Sequence, residues 1–170
     1  AAGVRCIPVP GACAAIAALS VAGLPSDRFV FEGFLPPKAA ARRGRLQELA
    51  GEGRTLIFYE SSHRVAESLA DMRDAFGAQR EAVLARELTK LFETVLGEPL
   101  GELAARVAAD PDQQRGECVV LVAGRGEEVD ARLAEGERVF AILREELPPA
   151  RAAKLAAAIS GAPRKLLYRE

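Results

Sequence analysis

The chain has 170 residues, of which 49% are hydrophobic and 28% charged, and its formal net charge at pH 7 is −1. This length is typical of one domain, or of one domain with a small appendage. No apolar run approaches the ~20 residues of a membrane span, so we expect no membrane association. Three widely spaced cysteines and a single histidine argue against a disulfide framework and a bound metal, and they fit a reducing, cytoplasmic compartment.

Short apolar runs alternate with helical patterns along most of the chain. We predict strands at 4–9, 29–34, 55–59, 82–87, 92–96 and 118–123, and helices over 12–23, 39–51, 61–77 and 100–110. This alternation predicts an α/β fold. The strand at 92–96 follows the one at 82–87 too closely for a crossover helix, so that pair is expected to be antiparallel. The prediction is therefore a mixed β-sheet flanked by helices.

The helix predicted over 61–77 has the clearest pattern. Ser61 or Ser62 can serve as its N-cap, and Gly77 can end it. Its apolar positions lie at helical spacing and predict one buried face, formed by Val65, Leu69, Met72 and Phe76.

The texture of the sequence changes after Gly124. Helical patterns cover 130–147, 150–161 and 163–170, with Gly161 in the connection between the last two and Pro163 at a first helical turn. A helix, a short turn and a second helix indicate a helix-turn-helix motif. The second of these helices is expected to continue to the chain end, which makes the motif incomplete.

Positive charge is concentrated in two segments. One follows the sequence FLPP and the other lies at the C-terminus; they contain Lys38, Arg42, Arg43, Arg45, Arg151, Lys154, Arg164, Lys165 and Arg169. Such segments favour a polyanionic partner. Solvation of ordinary helix faces explains the same charges, and composition alone leaves both interpretations open.

Four junctions at strand ends concentrate the residue types of binding sites. They are 8-PVPGACAA-15, 59-YESSHR-64, 85-ARELTK-90 and 115-RGE-117. Each has an ordinary structural explanation: a turn, a strand end with a helix cap, an ion pair, and a glycine turn with a capping acid. Together they predict a ligand site, because open α/β sheets bind ligands outside the carboxyl ends of their strands.

These segments carry a family resemblance. PGACAA, GLPSDRFVFEGFLPPK, RTLIFYESSHR, ARELTK and GECVVLV resemble the ribosomal RNA small subunit methyltransferase I family, within the tetrapyrrole (corrin/porphyrin) methylase superfamily. The resemblance covers essentially the whole chain and is to the C-terminal portion of the family. The chain also opens without methionine and without signal-peptide features, so we expect it to be part of a longer protein.

The resemblance implies an S-adenosylmethionine-dependent enzyme, usually a homodimer, that methylates the 2′-hydroxyl of a cytidine in the decoding region of 16S rRNA in the small ribosomal subunit. It also implies three regions. Residues 1–11 would be the last strand and hinge of an absent N-terminal domain, 12–126 the C-terminal α/β domain, and 127–170 the helix-turn-helix appendage. The methyl donor would lie between two α/β domains, so this chain alone is expected to be inactive.

The resemblance also assigns donor-site residues. Cys13 and Ala14 match the turn that contacts the donor, although many relatives have serine where this chain has Cys13. The other donor contacts are expected at the turns that contain Tyr59, Leu88, Gly116 and Glu117.

Residue type and position at strand ends suggest the remaining roles. Glu60 and Glu87 are candidates to orient the ribose hydroxyl or accept its proton, and Lys90 or Arg64 to lower the pKa of that hydroxyl. Phosphate contacts are expected from basic side chains, namely Lys38, Arg42, Arg43, Arg45, Arg64, Lys154, Arg164 and Lys165.

Two alternatives stay open. The first is a non-catalytic RNA-binding module, which would bind RNA with a strong salt dependence and have no affinity for the methyl donor. The second is a methylase of the same superfamily that acts on a small tetrapyrrole or a protein side chain. The basic cluster and the helix-turn-helix tail argue against the second, because neither would serve a small substrate.

Overall fold

The structure, a computed structural model, describes residues 5–168, apart from the side chains of residues 127–130. The chain forms two compact units, and the boundary between them in the sequence lies between Gly124 and Arg125. In chain order the first unit contains α1 (Ala14–Val21), β1 (Phe29–Phe34), α2 (Ala39–Leu49), β2 (Thr55–Ser61), α3 (Val65–Phe76), β3 (Glu81–Arg86), β4 (Thr94–Pro99), α4 (Leu100–Ala109), a short 3₁₀ helix (Pro111–Gln114) and β5 (Glu117–Val122). The second unit contains α5 (Glu127–Leu143), α6 (Pro149–Ser160) and α7 (Arg164–Leu167).

The first unit is built on a five-stranded sheet with the order β1-β2-β5-β3-β4. Strands β1 and β2 are parallel, whereas β5 is antiparallel to both β2 and β3, and β3 is antiparallel to β4. The predicted mixed sheet and the predicted antiparallel pair are therefore confirmed. This topology brings the ends of β1, β2 and β3 and the beginnings of β4 and β5 to one edge, here named the carboxyl edge.

Helices cover the two faces of the sheet unequally. Apolar side chains from α2, α3 and α4 form one buried cluster with the sheet, whereas α1 forms a smaller cluster on the opposite face. Strands β3 and β5 are buried over almost their whole length, as is expected for strands covered on both sides. The predicted face of α3 is confirmed: Leu69 and Met72 are fully buried, and each contributes about 1.5–3 kcal/mol through burial.

Of the two predicted ends of α3, the C-terminal one is confirmed and the N-terminal one is wrong. Gly77 ends the helix, as predicted, with φ of +97°, a conformation that glycine adopts without strain. The predicted capping by Ser61 or Ser62 is wrong. Pairing with Glu117 extends β2 as far as Ser61, so α3 begins only at Val65, with Arg64 at the N-cap position and no side-chain cap.

Other strand predictions require correction. The strand predicted at 4–9 is absent from residues 5–9, which are exposed and have no regular structure; residue 4 lies outside the described range. Pro8 cannot donate a ladder hydrogen bond, and neither can Pro10 just beyond. The strand predicted at 92–96 instead spans Thr94–Pro99, because the register pairs Thr94 with Arg86.

The second unit is helical, as predicted. Helix α5 packs closely on the turn after α6: a Cβ at Gly136 would lie 2.8 Å from Ser160 Oγ and 2.9 Å from Ala162 Cβ. Gly161 ends α6 with φ of +72°. The helix predicted over 163–170 spans only Arg164–Leu167, and residues 169–170 lie outside the described range.

Candidate functional site

A cavity of about 580 Å³ opens at the carboxyl edge of the sheet. We name it the strand-end cavity. It is lined by the end of β1, the end of β2, the beginning of β5 and the beginning of α1, through Ala14, Phe34, Tyr59, Glu60, Ser61, Ser62, Gly116, Glu117, Cys118 and Val119. Its volume lies within the range of small-molecule sites in proteins. Three of the four junctions singled out from the sequence therefore meet at one cavity.

Aromatic side chains form one wall of this cavity. The ring centroids of Phe34 and Tyr59 are 5.8 Å apart, and Phe31 contacts Tyr59 edge-to-face with a centroid distance of 4.9 Å. Phe34 is 64% exposed and Phe31 50% exposed. Such faces suit a flat heterocycle or an organic cation.

Tyr59 also joins the sheet to the first helix. The backbone N–H of Ala15 donates to Tyr59 Oη at 3.3 Å, and Cys13 Sγ lies 3.9 Å from the same oxygen. Hydrogen bonds from the helix N-terminus, above all from Ile16, lower the pKa of the Cys13 thiol, and the Tyr59 hydroxyl adds to this effect. Burial raises the pKa of Tyr59. Of the two predicted donor contacts in this turn, Ala14 lines the cavity and Cys13 lies beside it.

Glu60 is a buried anchor. It is 3% exposed, and its carboxylate accepts hydrogen bonds from Ser61 N at 2.7 Å, Arg64 Nη2 at 2.8 Å and Ser68 Oγ at 2.6 Å. With both oxygens engaged in hydrogen bonds, Glu60 holds the β2–α3 turn that lines the cavity. Arg64, predicted as a phosphate contact, is instead bound to Glu60.

Glu87, Lys90 and Glu117 form an ion-pair network at the carboxyl edge. Lys90 Nζ lies 2.9 Å from Glu87 Oε1 and 3.1 Å from Glu117 Oε2, and Glu87 Oε1 also accepts the Glu117 N–H at 2.8 Å. These contacts, led by the Glu117 N–H, lower the pKa of Glu87, and the two carboxylates raise the pKa of Lys90. At neutral pH Glu87 is therefore an ionised, weak base and Lys90 a fixed cation. An ion pair between Glu87 and Lys90, the ordinary structural explanation of this junction, is therefore present.

The turn that holds this network is strained. Glu87 and Thr89 have φ of +50° and +64°, values that cost energy for residues with a side chain and that concentrate at functional sites. Gly116 has φ of +80°, a conformation that favours glycine, and a Cβ there would lie 2.4 Å from Glu87 Cδ and so displace the Glu87 carboxylate. Leu88, predicted to contact the donor, instead packs against the apolar cluster below α1.

The basic residues after β1 divide into paired and free side chains. Arg42 is buried, and its Nε donates to Asp71 at 2.6 Å. Arg45 Nη2 contacts Glu32 at 2.7 Å and its Nη1 contacts Glu48 at 2.8 Å. The prediction of phosphate contacts is therefore wrong for Arg42, whose charge is neutralised inside the fold, and Arg45 is occupied by carboxylates.

Five of the predicted RNA contacts in the two units point to solvent without a strong internal ion pair among the described residues. Lys38 and Arg43 are exposed in the first unit, and the nearest carboxylate oxygen to Arg43 is that of Asp71 at 3.8 Å. In the second unit, Lys154 is exposed on α6. Arg164 and Lys165 are also exposed, in the first turn of α7.

The cavity lining also includes Phe34, Cys118 and Val119, which were not among the predicted site residues. Phe34 belongs to the aromatic run 29-FVFEGF-34, which alone would indicate only a strand. Cys118 is buried, and burial raises its pKa to about 11.

No described helix has the length and hydrophobicity to cross a membrane, and the described residues contain no group of three or more potential metal ligands.

The fold is that of an α/β unit with a cavity at its strand ends, followed in the sequence by a helical unit. Residues 1–104 match the family of Tetrapyrrole (Corrin/Porphyrin) Methylases, and the chain belongs to this family. Residues 130–170 match the RsmI C-terminal HTH domain.

Known proteins agree with this placement. The chain is 61% identical over 168 residues to ribosomal RNA small subunit methyltransferase I of Xylella fastidiosa (strain 9a5c), which covers 99% of this chain and 62% of the relative. It is 62% identical over 172 residues to the protein of the same name from Pseudomonas aeruginosa (strain PAO1), which covers 99% of this chain and 60% of the relative. The chain thus spans about three fifths of these relatives. The crystal structure of the methyltransferase CobJ shares the fold, with a TM-score of 0.54 and 24% identity over 72% of this chain and 52% of that one.

Proposed function

We propose that the protein functions in S-adenosylmethionine-dependent methylation of ribosomal RNA, and that the strand-end cavity forms the part of the donor site that this chain contributes. The cavity itself is the observation that carries the proposal. It measures about 580 Å³, it has an aromatic wall of Phe34 and Tyr59, and it lies where α/β sheets bind ligands. The names of the relatives supply the class of reaction.

The lining residues fit the chemistry of the donor. The rings of Phe34 and Tyr59 suit both a flat base and a cationic group. Ser61, Ser62 and Glu117, which also line the cavity, provide polar partners for hydroxyl and amino groups. When bound, S-adenosylmethionine supplies an activated methyl group on a positively charged sulfur.

The chain's own residues contribute position and charge. Holding two reactants in the right orientation supplies ~7–11 kcal/mol of a barrier, and Tyr59 fixes the α1 turn against β2 for this purpose. Glu60 fixes the next turn. Lys90, kept protonated by Glu87 and Glu117, is the group that would stabilise negative charge on the attacking oxygen. Glu60 and Glu87 act as positioning residues in this proposal.

The proposed substrate is the 2′-hydroxyl of a cytidine in the decoding region of 16S rRNA, modified in the cytoplasm by a homodimer that acts on the small ribosomal subunit. These finer features come from the family resemblance. Exposed cations on both units support an RNA substrate, because phosphate neutralisation dominates affinity for RNA. These cations are Lys38, Arg43, Lys154, Arg164 and Lys165.

Transfer of a tritiated methyl group from S-adenosylmethionine to small-subunit RNA tests the proposal, measured with a protein of the relatives' full length that includes this chain, because this chain alone is expected to be inactive. Nuclease digestion and nucleoside chromatography should place the label in 2′-O-methylcytidine. Lys90→Met should reduce the rate by about 10²-fold or more, and Lys90→Arg, which keeps the cation, should retain more of it. Label in a base-methylated nucleoside would exclude the 2′-hydroxyl as the acceptor.

A non-catalytic RNA-binding module is the second candidate, and the exposed cations of the second unit favour it. A module would bind RNA with an affinity that falls steeply with salt, by a slope of ~0.7 for each phosphate contact to a single strand. It would not bind S-adenosylmethionine. Absence of donor binding together with retained RNA binding would therefore replace the first proposal with this one.

A further inference from the structure

The two faces of the sheet in the first unit differ in how much apolar surface they leave open. Helices α2, α3 and α4 cover one face, whereas α1, with eight residues, is the only described helix of this unit that packs on the other. In the part of the chain that the structure describes, none of the exposed large apolar side chains belongs to α2, α3 or α4, but five belong to α1 and β1. The face covered by α1 is therefore incompletely closed.

Three phenylalanines of the edge strand β1 lie on this open face. Phe31 is paired with Ile57 in the register with β2, and Phe34 is paired with Tyr59. Both β2 residues belong to the apolar cluster below α1. Side chains two residues apart on a strand point to the same side, so Phe29 lies on this face as well. The rings of Phe29, Phe31 and Phe34 are 38%, 50% and 64% exposed.

Helix α1 carries an open groove of about 480 Å³. We name it the α1 groove. Its lining is apolar or small and contains no charged side chain among the described residues; it consists of Ile16, Leu19, Ser20, Gly23, Leu24 and Ser26. Ile16 is 50% exposed, and Val21 on the same helix is 54% exposed. An ionic group would find no partner in this lining, so the groove suits an apolar side chain.

The exposed apolar side chains are numerous enough to form the core of a protein interface. We define the α1 face as Ile16, Val21, Phe29, Phe31 and Phe34. An aromatic side chain has about 150–250 Å² to bury, so the three rings leave about 300 Å² uncovered, to which the two aliphatic side chains add. Exposed patches of this size mark interaction sites. With a polar rim around it, such a core is typical of an interface that buries about 800 Å² on each partner.

The character of the α1 face favours a second copy of the chain as its partner. The five side chains carry no charge, so the phosphates of RNA would gain no neutralisation there. The face presents both protruding rings and a groove. A two-fold interface is self-complementary, because each element of one copy meets a different element of the other twice. The rings of each copy can therefore fill the α1 groove of its partner.

We propose that the α1 face is the contact surface of a two-fold dimer of this chain, with Phe31 of each copy packed against Ile16 of the other. The inference rests on the proposed function in one respect, since it specifies the surface of the homodimer named there. Phe34 also lines the strand-end cavity, so the dimer contact would adjoin the donor site of each copy.

Analytical ultracentrifugation of the chain tests the inference. The wild type should sediment as a dimer. Ile16→Glu and Phe31→Lys each place an unpaired charge in the contact and should weaken association about 100-fold or more. Both positions are half exposed in the single chain, so the variants should stay folded, which circular dichroism checks. Leu91→Glu, at an exposed apolar position outside the α1 face, is the matched control and should dimerise as the wild type does.

An equimolar mixture of the Ile16→Glu and Phe31→Lys chains tests the pairing itself. In a two-fold contact each pair of positions occurs twice, so the mixed dimer contains one glutamate–lysine pair and one unchanged isoleucine–phenylalanine pair. Opposite charges across an interface are complementary. The mixture should therefore associate within about tenfold of the wild type, although neither variant associates well with itself.

A wild type that stays monomeric at about 100 µM, well above micromolar dissociation constants, would overturn the inference. Variants that dimerise as the wild type does would also overturn it, because the homodimer of the proposed function would then use another surface. A mixture that stays monomeric would exclude the pairing of Phe31 with Ile16 and overturn the stated contact. Titration with S-adenosylmethionine reports on the proposed function separately: a wild type that dimerises through the α1 face but binds no donor would keep the interface and reject the methyltransferase proposal.

Discussion

Replacement of Glu60 by alanine should unfold the β2–α3 junction more readily than any surface substitution. The carboxylate accepts hydrogen bonds from Ser61 N, Arg64 Nη2 and Ser68 Oγ, all at 2.6–2.8 Å. Ser68 is fully buried, so its hydroxyl would lose its partner without gaining water. Arg64 is 23% exposed and can be hydrated in part.

The magnitude follows from these contacts. A buried donor left without a partner costs about 1–3 kcal/mol, and removal of one member of a buried ion pair costs about 3–5 kcal/mol. Both penalties apply to Glu60→Ala, but partial hydration of Arg64 reduces the second. We therefore expect the free energy of unfolding to fall by about 3–5 kcal/mol in total. In Glu60→Gln one oxygen and the side-chain shape remain, so the loss should be about 1–3 kcal/mol.

Urea denaturation followed by circular dichroism measures these losses from the transition midpoint and slope. Glu48→Gln is the matched control, because Glu48 is 67% exposed and contacts only the partly exposed Arg45 in its ion pair; its loss should stay within about 0.5 kcal/mol. A loss below about 1 kcal/mol in Glu60→Ala would show that the buried carboxylate does not hold the junction.

Three further outcomes are expected. Arg42→Ala should lower the free energy of unfolding by about 3–5 kcal/mol, because it leaves Asp71 without its closest cation. Arg43→Ala should change the stability little and should instead reduce the salt slope of RNA binding by about 0.7. Equal stability of the two variants in urea would contradict this difference. Hydrogen bonds from Arg54 lower the pKa of Glu52 from 4.5 to about 2. The ionised carboxylate therefore stabilises the fold above pH 4.5, and this contribution is lost as the pH falls towards 2. Glu52→Gln should weaken the dependence of the urea midpoint on pH between these values, and an unchanged dependence would refute the pairing. Native protein should react rapidly with a thiol reagent at the exposed Cys6 and Cys13 but not at the buried Cys118. Because the pKa of Cys13 is lowered, its reaction should begin at a lower pH than that of an ordinary thiol. Early labelling of Cys118, found by peptide mapping, would contradict its burial.

Sequence reasoning located the carboxyl edge because strand ends have a local signature. The transitions from apolar strand to polar turn at Tyr59 and at Glu117 are visible in the sequence itself. The sheet order is not, because the pairing of β5 between β2 and β3 depends on contacts between distant segments. That order nevertheless decides which strand ends share a cavity.

Errors arose where tertiary contacts override local preference. Ser61 is a good N-cap residue in isolation, but strand pairing with Glu117 holds it in β2. Arg42 lies in a basic run that favours a solvent-exposed position, but Asp71 of α3 draws it into the fold. In each case the deciding partner is far away in the sequence or invisible in the residue type.

Calorimetric titration of S-adenosylmethionine into the chain and two variants tests the central claim, that the strand-end cavity holds the methyl donor. The wild type should bind; Phe34→Ala, which removes the exposed aromatic wall, should bind about tenfold more weakly, a change of about 1.4 kcal/mol. Phe29→Ala, on the same strand but outside the cavity lining, should bind as the wild type does. Absence of binding to the wild type, or equal affinities of wild type and Phe34→Ala, would contradict the assignment of the donor to this cavity.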